Sequence, residues 1–265
     1  MIIWRDDEWL AVADATIPAD DRGFLLGDGL FETMQVRHGK LIRSDFHIQR
    51  LLSSCDALGF VCPVKADDLD GIVQSLCVRN GLVNAAIRLT LSAGSGPRGL
   101  ERSGEGSFSC LIKASEWREP PESLSLSVSD IRREPSSLAT CHKTLSYIDN
   151  IGARVEAKKA GSDMALMLTS EGHVSGCDCA NVFWVSDGKL FTPSLDCAVL
   201  PGSVRAFLVQ TMDVTEGQYT LEDVLKSDHV FVTNALLGAV AIDRVDGSSF
   251  RISSNNLEKI RQTLV

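Results

Sequence analysis

Four short stretches of the sequence hold residue types that do chemistry. Lys143 stands in His142-Lys143-Thr144-Leu145, just ahead of an apolar-periodic run. A lysine amine is a nucleophile toward carbonyl groups once its site favours the neutral form. It is one of nine lysines, so residue type alone does not select it. Leu200-Pro201-Gly202-Ser203-Val204-Arg205 leads into Phe207 and Leu208, and the unpaired N–H groups of a helix start favour an anion. An ordinary helix start reads the same way. Arg50 lies in mid-helix beside Leu51, either as a fork for an anion or as a snorkelling surface residue. Gly94-Ser95-Gly96-Pro97-Arg98-Gly99 fits G-x-G-x-x-G after a strand, but Leu100 to Gly106 has no apolar period and Pro97 breaks the turn. That rejects a dinucleotide site, which must open a helix. A loop carrying Arg98 remains, and its guanidinium can fork onto a carboxylate.

Metal chemistry is not expected. Cys177-Asp178-Cys179 is the one close cysteine pair, there is no C-x-x-C, and the five histidines show no H-x-x-x-H. Zinc sites need more than this. The eight cysteines read as small hydrophobes.

Hydrophobic periodicity supplies the frame that must position these residues. Residues 1–12 and 31–43 read as hairpins, the second turning at His38-Gly39. Ser44 is the expected N-cap of a helix in which Ile48, Leu51, Leu52, Cys55 and Leu58 recur and which Gly59 closes. A second helix is expected over 67–79, with strands at 86–92 and 108–114. The polar stretch from Ser115 to Ser123, with Pro120-Pro121, reads as a linker. Beyond it, strands are expected at 124–128, 163–169, 181–185, 189–192, 229–233 and 239–243. Helices are expected at 145–160, from near Gly202 and from about 255. The fold class is α+β in two domains: a smaller one at 1–116, a linker at 117–123 and a larger one at 124–265.

The same stretches resemble a known family. Asp21-Arg22-Gly23-Phe24 with Gly27-Asp28-Gly29-Leu30-Phe31-Glu32-Thr33 resembles the opening motif of the class IV aminotransferases, the fold-type IV pyridoxal-phosphate enzymes. His47-Ile48-Gln49-Arg50-Leu51 is similar to their H-x-x-R-L helix, and His142-Lys143-Thr144-Leu145-Ser146-Tyr147 with Asn150 to their lysine segment. Glu171-Gly172-His173-Val174 with Ala180-Asn181-Val182-Phe183-Trp184, Leu200 to Arg205, and Thr233-Asn234-Ala235-Leu236 follow in the family's order. The A-N-V-F-W and T-N-A-L details look most like the aminodeoxychorismate lyase branch.

The resemblance implies a two-domain fold like that of D-amino acid aminotransferase, with pyridoxal 5′-phosphate as cofactor. It implies Lys143 as the Schiff-base lysine in the larger domain. Arg50, Gly202, Ser203, Val204, Asn234 and Ala235 would hold the phosphate, and Phe31 and Arg98 would meet the substrate. A homodimer and a small amino substrate with a carboxylate are implied as well. The family places a glutamate against the ring nitrogen two residues after the valine of G-x-V, and here that residue is Gly176. Asp178 lies on the same strand face, about 6.6 Å further along. Gly176 and Asp178 are therefore both candidates beside the ring. Strand geometry favours a neutral nitrogen that meets water or a weak donor. The implied activity is a 4-amino-4-deoxychorismate lyase releasing 4-aminobenzoate and pyruvate, because an aromatic product drives the reaction without a full electron sink. An aminotransferase for D-amino or branched-chain substrates, or a family member that has lost catalysis, is the alternative.

Composition bounds these readings. The 265 residues are 44% hydrophobic and 23% charged, so a core burying roughly 70–75% of the unfolded surface is available. The net charge of −9, from 26 basic and 35 acidic residues, disfavours a nucleic-acid partner. No run of 18 or more apolar residues suggests a membrane span. The N-terminus lacks a signal peptide's basic and apolar regions, so a cytoplasmic protein with reduced cysteines is expected.

Overall fold

The structure, a computed structural model, describes residues 1–102, 108–252 and 255–264. The chain divides into two compact units, Met1–Arg118 with His142–Ser146, and Glu119–Cys141 with Tyr147–Val265.

The first unit is built on an antiparallel six-stranded sheet. Its order is β2 (Glu8–Ala11), β1 (Ile2–Arg5), β6 (Ser109–Glu116), β5 (Ala85–Ser92), β3 (Gly29–Arg37) and β4 (Lys40–Leu41). The two-residue period decides which face is buried. Leu30, Met34 and Val36 of β3 and Ile87, Leu89 and Leu91 of β5 form one core with Leu51 and Cys55 of α2 (Ser44–Leu58) and Leu69, Val73 and Leu76 of α3 (Ala66–Arg79). Each such side chain contributes roughly 1.5–3 kcal/mol on burial. Arg43, not Ser44, caps α2. It adopts a left-handed conformation (φ 54°, ψ 39°) without a side-chain cap bond, so Ser44 is the first helical residue. Strand β6 runs into the segment read as linker because Glu116 still pairs with Ala85. A short helix, α1 (Arg22–Leu26), is opened by Asp21, whose carboxylate accepts from Phe24 N–H. The continuation of the glycine-rich loop at 103–106 lies outside the described residues.

The second unit carries a nine-stranded mixed sheet. Its order is β12 (Val214–Gly217), β11 (Lys189–Pro193), β10 (Asn181–Ser186), β13 (His229–Asn234), β14 (Gly238–Val245), β7 (Ser123–Val128), β8 (Met164–Leu168) and β9 (Val174–Cys177), with β15 (Ser248–Ser249) beside β14. Val182, Trp184, Val230, Val232, Val240 and Ile242 share one face. On the other, Phe183 and Phe231 stack at 5.2 Å. These rings pack with Val204 and Leu208 of α6 (Ser203–Thr211) and Leu257 and Ile260 of α8 (Asn255–Thr263). Two short helices, α4 (Leu138–Cys141) and α7 (Leu221–Leu225), flank the sheet connections. Helix α5 (Ile148–Lys159) packs Ala153 and Ala157 on Ala165 and Met167. It starts later than the sequence pattern suggests because residues 143–145 are extended. The unexpected elements β9, β12, α1 and α7 are each four or five residues long, too short to show a period.

Candidate active site

In the first unit, the lysine segment runs along the N-terminal half of β3. Phe31 N–H donates to Lys143 O (2.8 Å), Leu145 N–H donates to Gly29 O (2.9 Å), and Leu30 and Thr144 form an antiparallel bridge. Glycine is required at 29, because a Cβ there would run into Leu91 O and come within 2.5 Å of Leu145 Cδ1. Alternation turns Phe31 to the face opposite Leu30. Lys143 Nζ lies 4.2 Å from the Phe31 ring centroid, and the Arg88 guanidinium lies 3.4 Å from it. Both are within cation–π range. Arg88 comes from β5, and its Nε donates to Thr90 Oγ1 (3.3 Å). The sequence reading missed Arg88. The signal was there, since Ile87, Leu89 and Leu91 are core and the even positions face away.

The apolar face of β3 is interrupted by Glu32, which is 2% exposed. Arg50 grips it with Nε on Oε1 (2.7 Å) and a terminal nitrogen on Oε2 (2.5 Å), while His47 Nδ1 lies 2.7 Å from Oε2. Burial alone would raise the Glu32 carboxyl. The Arg50 charge and the hydrogen bonds from His47 and Arg50 outweigh it and hold the group at about 2. Burial also keeps His47 below the ordinary histidine value. A carboxylate only accepts, so the neutral imidazole carries its proton on Nδ1. Arg50, expected at a phosphate, is thus aimed by Glu32. His142 approaches the same helix, with Nδ1 3.1 Å from Ser54 Oγ.

Arg98 is exposed. The loop just after it is pinned by Arg22, whose guanidinium donates to the carbonyls of Gly99, Leu100 and Glu101 at 2.9–3.0 Å and to Asp28 at 2.9 Å.

In the second unit, Gly202 is the N-cap of α6, and Ser203 and Val204 follow it buried. A Cβ at 202 would fall onto Asn181 Oδ1. Asn181 Nδ2 meanwhile donates to Leu200 O (2.9 Å), tying β10 to this turn. Opposite Asn181 on β13 is Thr233, whose fully buried Oγ1 has no hydrogen-bond partner among the described residues. Next along β13, Asn234 accepts from Leu236 N–H and Leu237 N–H and donates to Cys179 O (3.1 Å), so it shapes the turn that holds Ala235. The arrangement is a helix N-terminus with a small-residue entrance and an unmet buried hydroxyl, which suits an anion.

Gly176 is buried on β9. A Cβ there would lie 3.2 Å from Ala180 O and 3.5 Å from an Arg133 terminal nitrogen. Asp178 does not face that space freely. Arg154 holds both its oxygens (2.5 and 2.7 Å), Ala165 N–H donates to it (3.1 Å), and it is 2% exposed. Arg133 is a second residue that the sequence reading missed, and no periodicity marks it.

A sequence model of the amino-transferase class IV family matches residues 29–245. The chain is 27% identical to the aminodeoxychorismate lyase of Bacillus subtilis, covering 99% of this chain and 93% of that protein. It is 28% identical to a putative branched-chain-amino-acid aminotransferase of Methanocaldococcus jannaschii, covering 93% and 88%. Among solved structures it is similar to a putative 4-amino-4-deoxychorismate lyase from Legionella pneumophila, with 28% identity, 96% of each chain covered and a TM-score of 0.89.

Proposed function

The chain belongs to the class IV aminotransferase family, and from that premise we propose that it is a pyridoxal 5′-phosphate enzyme that splits 4-amino-4-deoxychorismate into 4-aminobenzoate and pyruvate. The buried α6 entrance and the unmet Thr233 hydroxyl fit the cofactor's phosphate. When bound, the cofactor supplies an electron sink for the bonds at the carbon bearing the substrate's amine.

The chain's own residues do the rest. Lys143 Nζ would hold the cofactor at its aldehyde carbon and would move protons to and from the reacting carbon. Its backbone pairing with β3 fixes where that amine begins. Arg50, oriented by Glu32, and the amides of Ser203, Val204 and Ala235, the last in the turn shaped by Asn234, bind the phosphate. Phe31 gives the lysine an apolar wall. Arg98 or Arg88 takes the substrate carboxylate. The Arg88 guanidinium is over the same ring as Lys143 Nζ, so it joins Arg98 as a candidate.

One observation carries the lyase reading. The position of the family's carboxylate is Gly176, and the neighbouring acid Asp178 is fully engaged by Arg154 and Ala165. Transamination depends on the ring accepting charge in both half-reactions, whereas release of an aromatic amine has its own driving force. An aminotransferase is the second reading, favoured by the similarity to the M. jannaschii protein. Incubation with aminodeoxychorismate and no keto acid tests the choice. Pyruvate formation supports the lyase. Amine transfer that requires a keto acid supports the aminotransferase.

The protein is further proposed to be a cytoplasmic homodimer. Phe24, Leu25 and Leu26 of α1 are 71, 58 and 50% exposed. Separately, Ile148, Ile151 and Val155 form an exposed stripe on α5. Exposed apolar groups of this kind mark association surfaces. The eight cysteines are free thiols, which suits a reducing compartment, and no helix among the described residues is long and apolar enough to cross a membrane.

A further inference from the structure

We infer that Arg133 is the group this chain sets against the cofactor's ring nitrogen, a cation in the place of a carboxylate, and that the nitrogen is unprotonated in the holoprotein. The inference rests on the proposed cofactor reading and deepens it.

The geometry lies within the second unit. An Arg133 terminal nitrogen is 3.5 Å from where a side chain at 176 would begin, so the missing side chain leaves its space beside a guanidinium. Glycine here opens the approach and removes the acid together. Arg133 is held in place by two neutral oxygens. One terminal nitrogen donates to Ser175 Oγ (3.3 Å) and the other to Cys177 O (2.8 Å). Ser175 Oγ donates onward to Ala198 O (2.9 Å), which fixes it as an acceptor for Arg133. Two protein acceptors leave three of the five guanidinium hydrogens to be met. Among the described residues no carboxylate pairs with Arg133. Asp178, the acid that its charge feels through space, is occupied by Arg154.

A guanidinium stays charged when buried and donates only. A neutral pyridine nitrogen offers it a lone pair. A protonated one presents a second cation and a competing N–H, which a poorly solvated site penalises heavily. Arg133 therefore selects the unprotonated ring, and Gly176 makes the selection possible.

The test is the 15N NMR resonance of the ring nitrogen in the holoprotein loaded with ring-labelled pyridoxal 5′-phosphate at pH 7.5. The wild type is expected at the position of an unprotonated, hydrogen-bonded pyridine. Arg133→Gln is expected to move the resonance and to weaken cofactor binding roughly 10-fold. Gly176→Glu combined with Arg133→Gln is expected to move it to the pyridinium position. If Arg133→Gln does not fold, Arg133→Lys is read in its place. A pyridinium resonance in the wild type overturns the inference, as does a resonance indifferent to residue 133, which would leave Arg133 a purely structural brace for β9. Failure to bind any pyridoxal 5′-phosphate overturns the cofactor reading and the inference with it. A bound cofactor with a pyridinium signal removes the inference alone.

Discussion

Replacing Glu32 with glutamine removes the charge that two buried partners face, and the consequence can be worked from the geometry. Arg50 loses a bidentate ion pair at 2.5–2.7 Å and His47 a hydrogen bond at 2.7 Å, all in the core of the first unit. Breaking one partner of a buried pair costs about 3–5 kcal/mol. Glutamine keeps one acceptor, so the lower end applies. In a unit of this size about 3 kcal/mol lowers Tm by roughly 12 °C. The pH dependence gives an independent check. The Glu32 carboxyl is held at about 2 against an ordinary 4.5, so it is depressed on folding. Its stabilisation is complete above about 4.5 and is lost as pH falls toward 2. The difference amounts to roughly 3 kcal/mol. Urea denaturation followed by tryptophan fluorescence, with Trp4, Trp9 and Trp117 in this unit, should show wild type losing stability over that acid window and Glu32→Gln losing much less. A Tm within about 2 °C of wild type at pH 7, or an unchanged acid slope, would refute the reasoning.

Three further outcomes follow. Lys143→Ala should abolish borohydride-fixed cofactor while the protein stays folded, and peptide mapping that finds the label on another lysine contradicts the assignment. Gly202→Ala pushes a methyl onto Asn181 Oδ1, so it should cost about 1–3 kcal/mol and weaken cofactor binding in a fluorescence titration. Native affinity and Tm would show that the turn can relax. Arg98→Ala and Arg88→Ala separate the two carboxylate candidates. The true one raises KM with cofactor affinity intact, and an unchanged KM in both variants removes both.

The architecture was legible wherever the chain repeats itself. The apolar run in α2, the β3–β4 hairpin and the glycine stop at 59 follow from period and turn chemistry. The cap of α2 was not, because Arg43 adopts a left-handed conformation that a favourable serine at 44 conceals. For the candidate site, the motifs single out Lys143, Gly202 and Asn234 as expectations but say nothing of the contacts around them. Glu32 was recoverable in principle. It stands between Leu30 and Met34 on an apolar strand face, where a charge demands a partner, and His47 and Arg50 are three apart on the following helix. Arg133 was not recoverable. Its role depends on a loop meeting a four-residue strand, and its neighbour Gly176 reads only as a loss. The lysine's pairing with β3 is likewise a long-range contact, which local pattern does not encode.

The central claim is lyase chemistry, and product stoichiometry in a single-enzyme reaction tests it most directly. Purified holoprotein, aminodeoxychorismate and no keto acid should yield 4-aminobenzoate and pyruvate in equal amounts through many turnovers, with Lys143→Ala yielding neither. Absence of pyruvate from wild-type holoprotein, with transfer of the substrate's amine to an added keto acid, would contradict it.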